Sequence, residues 1–186
     1  MIHFVGAGPG AVDLITVRGQ KLLETADQII YAGSLVNPQL LACAKKDCRI
    51  LDSAGMTLEA VIAAMEEGEG QGWMTVRLHT GDPSVYGAIR EQMDILSQKG
   101  LAYDVVPGVS SFCAAAASLQ AEYTLPGISQ SVIITRMEGR TPVPDKQKIA
   151  DYAAHQATMV IFLSASLLDG LQAELLRGGY PADTPA

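Results

Sequence analysis

Ile2-His3-Phe4-Val5-Gly6-Ala7-Gly8-Pro9-Gly10 opens the chain with the strand-to-glycine-turn pattern of an α/β fold. A short apolar run, residues 2–5, reads as a buried strand that stops at Gly6. A helical pattern over residues 14–26 follows, with Asp13 placed to cap it and Leu14, Val17, Leu22 and Leu23 on its apolar face. The same order of strand, turn and helix recurs twice. Residues 73–79 read as a strand closed by Thr80-Gly81-Asp82-Pro83, ahead of a helix over 86–98 that Gly100 stops. Residues 103–106 read as a strand ending at Pro107-Gly108, ahead of a small-residue helix over 110–120.

The intervening sequence fits the same scheme. Strands are predicted over 28–31 and 49–51, with a short helix over 38–44 between them that carries Pro near its start. A helix over 57–67 has Thr57 as N-cap and runs into Gly68-Glu69-Gly70-Gln71-Gly72. Further on, strands over 131–135 and 158–163 and a helix near 167–176 continue the alternation. This predicts α/β architecture with a mainly parallel sheet in the first half. Residues 122–130, with Tyr123-Thr124-Leu125-Pro126-Gly127, break the pattern and read as a linker. It would join an N-terminal α/β domain, residues 1–121, to a C-terminal α/β domain, residues 131–186. The second domain has too few strands to close a sheet comfortably. Residues 179–186 read as a loop, so an incomplete second domain is expected.

Composition bounds the function. With 48% hydrophobic and 18% charged residues over 186 positions, the chain has the material for a packed core. At this length folding buries about 70% of the unfolded surface. Lys plus Arg number 13 against 20 Asp plus Glu, a formal net charge of −7. That balance argues against a general nucleic-acid binder and against docking on an anionic membrane. The N-terminus lacks the basic region of a signal peptide, and apolar stretches such as residues 159–163 are too short to span a bilayer. Cys43, Cys48 and Cys113 form neither a disulfide framework nor a CxxC pair. A soluble cytoplasmic protein without a metal site is the expectation.

The three glycine turns lie where open α/β sheets bind ligands, beyond the carboxyl ends of strands. Glycine lets backbone N–H groups approach a ligand, and helix N-termini favour its anionic part. Any one of these turns is equally well explained as simple chain reversal; three together say more. The first turn loosely fits GxGxxG/A through Gly6, Gly8 and Ala11, a dinucleotide signature. That reading needs an acidic residue at the end of the second strand to hold a ribose. This strand ends Tyr31-Ala32-Gly33-Ser34, Asp27 lies at its wrong end, and Pro9 removes a backbone donor. No GxxxxGK[ST], HExxH or GxSxG occurs. His3, His79 and His155 lack metal-ligand spacing; His79, beside the second turn, is placed to face a ligand, although a structural role is the plainer reading. Thr135-Arg136-Met137-Glu138-Gly139-Arg140-Thr141-Pro142-Val143-Pro144 puts two forked cations on a stiffened loop, which suits a polycarboxylate or phosphate ligand. A solvated surface loop is the alternative.

These residues also carry a family resemblance. Val5 to Gly10 followed by Asp13-Leu14-Ile15-Thr16-Val17-Arg18-Gly19 resembles the opening signature of the tetrapyrrole methylases. His79-Thr80-Gly81-Asp82-Pro83-Ser84-Val85-Tyr86-Gly87 is similar to the family's second turn, and Val106-Pro107-Gly108-Val109-Ser110-Ser111 to its third. Tyr31-Ala32-Gly33-Ser34-Leu35-Val36, Ala54-Gly55-Met56 and residues 135–144 most resemble the branch that methylates C11 of precorrin-4, with or without cobalt. The resemblance implies a two-domain α/β fold, a homodimer, and S-adenosylmethionine held in the cleft between domains and leaving as S-adenosylhomocysteine. The implied cofactor contacts are Pro9, Gly81, Asp82, Pro83, Val85, Tyr86, Ser110, Ser111 and, from the second domain, Leu163. Arg18, Arg136 and Arg140 are candidates for the carboxylates of the tetrapyrrole, and His79 and Glu138 for any base. Family members continue for tens of residues beyond Pro185. The competing expectations are a sister methylase acting at another ring position, an NAD(P)-dependent oxidoreductase, and a non-catalytic fragment.

Overall fold

The computed structural model describes residues 1–33 and 35–186; Ser34, within the Tyr31 to Val36 stretch, lies outside the described residues. The chain divides into two compact units, Met1–Ala115 and Ala116–Ala186. The division falls inside a helix, Ser111–Leu119.

The first unit is built on five strands: β1 (Ile2–Gly6), β2 (Gln28–Tyr31), β3 (Arg49–Asp52), β4 (Thr75–His79) and β5 (Tyr103–Val106). They form one sheet in the order β3-β2-β4-β1-β5, with every pair parallel. The central strands are buried on both faces, which is why they read as nearly unbroken apolar runs. One face packs Val5, Ala7, Ile29, Val76, Leu78 and Val106 against Leu23 of α1 (Val17–Thr25). The other packs Ile2, Phe4 and Ile30 against α2 (Leu58–Gly70) and α3 (Arg90–Gln98) through Val61, Met65 and Leu96. Phe4, Leu23, Ile29 and Met65 are completely buried, and such burial stabilises by roughly 2–3 kcal/mol per side chain.

Several expected boundaries move, each for a local reason. The helix expected over 14–26 begins at Val17, and Thr16, not Asp13, caps it by accepting the Gly19 N–H at 3.1 Å. Before it a 3-10 turn, Val12–Leu14, folds back over the first glycine turn, leaving Leu14 and Val17 exposed rather than on the core face. The strand expected from Trp73 begins at Thr75, because the Met74 N–H is taken by the Asp27 carboxylate at 2.7 Å. Helix α2 runs past Gly68 to Gly70. A Cβ at Gly68 would meet Thr75 Oγ1 at 2.7 Å, so that glycine lets helix approach strand and does not end the helix. Helix α3 starts at Arg90 rather than Tyr86, since Tyr86 and Ala88 have φ of 54° and 51°.

The second unit pairs β6 (Val132–Arg136) with β7 (Thr158–Phe162) in parallel. The helix Ser111–Leu119 is α4; α5 (Ile149–Ala153) and α6 (Leu168–Arg177) follow. No helix was expected at α5, whose five residues are too few to show a period. It is buried through Ile149, Ala150 and Ala153, and Gly178 packs on it so closely that a Cβ there would lie 2.4 Å from Ala153 Cβ.

Candidate functional site

Strands β4, β1 and β5 are neighbours in the sheet, so the turns that leave their carboxyl ends are neighbours too. The first two turns are laced together by backbone. Ala7 N–H donates to the His79 carbonyl at 2.7 Å, Gly8 N–H to the Gly81 carbonyl at 3.2 Å, and Gly81 N–H to the Gly8 carbonyl at 2.8 Å. The third turn closes on both. A Cβ at Gly108 would stand 2.1 Å from the Gly81 oxygen, and one at Gly6 would stand 2.5 Å from Gly108 Cα. Glycine is required at these two positions by contact, whereas Gly8 and Gly81 also need it for φ of 78° and 58°.

Asp82 ties the junction together. Its Oδ2 accepts the Gly108 N–H at 2.9 Å, and its Oδ1 accepts the Ser84 N–H at 2.8 Å and the Ser84 hydroxyl. Partial burial alone would raise the carboxyl pKa, but the Ser84 hydroxyl and the Gly108 and Ser84 amides together hold it below 3.8. The anion is therefore fixed in place, with its two oxygens spent on two of the three turns.

His79 lies beneath the junction, 5% exposed, its ring 6.0 Å from that of Phe4. Burial, with Arg77 close by, pushes its pKa down to about 3, and its Nε2 has no hydrogen-bond partner among the described residues. A ring of such low basicity is a weak proton acceptor at neutral pH. Arg77, also buried, was not singled out from the sequence. It makes no ion pair with an acid among the described residues; its guanidinium donates to Gln92 Oε1 at 3.2 Å, the Ile30 carbonyl at 3.2 Å and Ser53 Oγ at 3.0 Å. Burial brings its pKa down to about 10. The available signal was a lone cation in the apolar run Thr75-Val76-Arg77-Leu78.

A family model for Tetrapyrrole (Corrin/Porphyrin) Methylases matches residues 1–186. The chain belongs to the tetrapyrrole methylases. It is 57% identical over 184 residues to a cobalt-precorrin-4 C(11)-methyltransferase of Methanocaldococcus jannaschii, spanning 99% of this chain and 71% of that relative. The X-ray structure of the cobalt precorrin-4 methyltransferase CbiF matches with a TM-score of 0.94 and 47% identity, covering 96% of this chain and 75% of the other. The uroporphyrin-III C-methyl transferase of Thermus thermophilus, solved in complex with S-adenyl homocysteine, matches with a TM-score of 0.79 at 26% identity, over 97% of this chain and 73% of that one.

In this tetrapyrrole methylase Pro9, Gly81, Asp82, Pro83, Val85, Tyr86, Ser110 and Ser111 all sit on or next to the three fused turns. A Cβ at Gly81 would have Ser110 Cα and Ser111 N as its nearest neighbours, at 3.7 Å. Tyr86 carries its positive φ at this rim, and Leu163, after β7 in the second unit, has φ of 56° with 69% of its surface exposed. Non-glycine residues held there cost of order 1–3 kcal/mol each and concentrate at ligand sites. Arg18 is exposed on α1 and Arg140 on the loop after β6; neither has an ion-pair partner among the described residues. Glu138 is ion-paired with Lys148. That pair lines a cavity of about 530 Å³ in the second unit, with Met137, Val143, Glu174 and Arg177. Its charges are already matched, Glu138 with Lys148 and Glu174 with Arg177.

Proposed function

We propose that this chain is an S-adenosylmethionine-dependent methyltransferase that methylates C11 of cobalt-precorrin-4 in the building of the corrin ring. The observation that carries the reading is the fused junction of three glycine turns on adjacent strands, in a chain 57% identical to an enzyme named for that reaction. The cofactor's sulfonium supplies an already activated methyl group, so the protein's task is to hold and aim two partners. That agrees with a junction whose shape is fixed by its own backbone hydrogen bonds. In this reading Gly81, Asp82 and Pro83 form one wall of the cofactor site and Pro9, Ser110 and Ser111 the neighbouring edges. Val85, Tyr86 and Leu163 supply apolar contact. Arg18 and Arg140, without an ion-pair partner among the described residues of an acidic protein, meet carboxylates of the tetrapyrrole.

A homodimer belongs to the same proposal. Helix α4 is apolar, Ser-Phe-Cys-Ala-Ala-Ala-Ala-Ser-Leu, yet none of its residues is buried, and Leu119 is 74% exposed. Among the described residues no helix is long and apolar enough to cross a membrane. With three free cysteines, a reducing cytoplasm is the compartment that suits the chain.

Calorimetric titration with S-adenosylhomocysteine, with NAD as control, tests the cofactor assignment. Binding of the former alone is the expected result; binding of NAD alone would sink the reading. Asp82→Ala removes the acceptor of the Gly108 and Ser84 amides, and the dissociation constant for S-adenosylhomocysteine is expected to rise about tenfold to a hundredfold. An unchanged constant would take Asp82 out of the site. Methyl transfer to cobalt-loaded but not metal-free precorrin-4 is the expected specificity, read by mass spectrometry of the product.

A further inference from the structure

Arg136 closes β6, and its guanidinium turns back on the loop that follows. Nη1 donates to the Thr141 carbonyl at 3.0 Å and Nη2 to the Pro142 carbonyl at 2.8 Å, with a longer contact from Nη1 to the Met137 carbonyl at 3.5 Å. Both terminal nitrogens of the fork are thus engaged by backbone, and these are the atoms a bidentate grip on a carboxylate would use. Two further ties hold the same loop. Met137 N–H donates to Ser164 Oγ at 3.0 Å, and that hydroxyl, 2% exposed as a residue, donates to the Phe162 carbonyl at 2.8 Å. Glu138 pairs with Lys148 just before α5. Arg140 stands between the clasped ends, exposed.

We infer that Arg136 is a positioning residue: it closes residues 137–142 into a backbone ring and presents Arg140 to a carboxylate of an anionic ligand. The ligand's identity as a tetrapyrrole rests on the function proposed above; the clasp does not. A six-residue segment left open would sample many shapes, and each encounter with ligand would have to order it first. The two carbonyl contacts spend that entropy during folding, so that Arg140 is preorganised. Pro142 and Pro144 narrow the remaining freedom. One arginine works on the chain and the other on the ligand, which explains why two cations are needed four residues apart.

A double-mutant cycle tests the division of labour, with uroporphyrin III as a stable polycarboxylated tetrapyrrole probe and affinity read by calorimetry. Arg140→Ala and Arg136→Ala should each weaken binding about tenfold, yet Arg136→Ala should add less than about twofold in the Arg140→Ala background. Losses that multiply would overturn the inference, because two independent carboxylate contacts behave that way. Arg136→Lys keeps the charge but not the fork. It should bind as weakly as Arg136→Ala, and wild-type affinity would count against the clasp. A second arm needs no tetrapyrrole. Trypsin should cut the Arg140–Thr141 bond about tenfold faster in Arg136→Ala than in wild type, as a freed loop opens to protease. Equal cleavage rates would overturn the inference outright. A wild-type chain that binds no uroporphyrin III would remove the tetrapyrrole reading and Arg140's partner with it, and the cleavage rates would then decide the clasp alone.

Discussion

Gly108→Ala is expected to destabilise the chain by about 3 kcal/mol or more, at the top of the range for overpacking a well-filled site. The atoms that a Cβ would strike are the Gly81 oxygen at 2.1 Å, Gly6 Cα at 2.8 Å and the Gly6 carbonyl carbon at 3.0 Å. All three are backbone, so no side-chain rotation can relieve the clash. The end of β5 must move away from β1, and that breaks the Gly108 N–H bond to Asp82. For a chain of this size the melting midpoint should fall by roughly 6–12 °C, and S-adenosylhomocysteine binding should be lost with it. Gly55→Ala is the control: a Cβ there meets nothing within 4 Å and Gly55 has no positive φ. Its midpoint should stay within about 2 °C of wild type. Equal midpoints for the two variants would mean that the three turns are not packed against each other as described.

Lowering the pH from about 6.5 towards 4 should weaken the fold steadily, and His79 is the cause. Its pKa is about 3 in the folded chain against 6.5 for a free imidazole. Between those values the unfolded chain binds a proton that the folded chain refuses, so stability falls as pH falls, by about 1 kcal/mol per pH unit. Full stability is present above 6.5, and the loss is complete only near 3. Asp82 has the same sign in a different window. Its pKa is depressed, so its contribution is present above 3.8 and is lost only below that. Urea midpoints taken between pH 7 and 4.5 therefore report on His79, and His79→Gln should flatten them. A wild-type midpoint that does not move over this interval would show that the ring is not buried in its neutral form.

The first unit is legible in the sequence because its central strands, β1, β2 and β4, are buried on both faces and the turns after β1, β4 and β5 are marked by glycine. Residues 28–31 and 103–106 were placed to the residue, since Asp27 and Pro107 bound them sharply. Helix starts were harder. Asp13 and Thr16 are both good caps in isolation, and only the chain folding back over Gly8 chooses Thr16. Tyr86 and Ala88 look like helix formers, and nothing local announces their positive φ. At the site, the turns could be read as three ligand-facing segments, but their fusion could not. That Gly108 presses on the Gly81 oxygen depends on the strand order β4-β1-β5. The tie between Arg136 and its own loop was hidden for a related reason. Its partners, the carbonyls of Thr141 and Pro142, are backbone atoms, and sequence carries no label for where a carbonyl points.

The placing of β1 between β4 and β5 also sets an order on assembly. Ile2 pairs with Thr75 on one side and with Tyr103 on the other, so the first strand made is among the last to gain its neighbours. The contacts that join one turn to another span large sequence separations, as between Gly8 and Gly81 or Asp82 and Gly108, and such contacts repay their loop-closure entropy only late in folding. During synthesis β2 and β3 can pair first, parallel and next to each other at the edge of the sheet. The N-terminal segment gains its second neighbour only with residues 103–106, and it must wait as a free apolar strand until residues 75–79 have emerged. A nascent chain stalled before that point exposes Ile2, Phe4 and Val5, the side chains that are completely buried once the sheet closes.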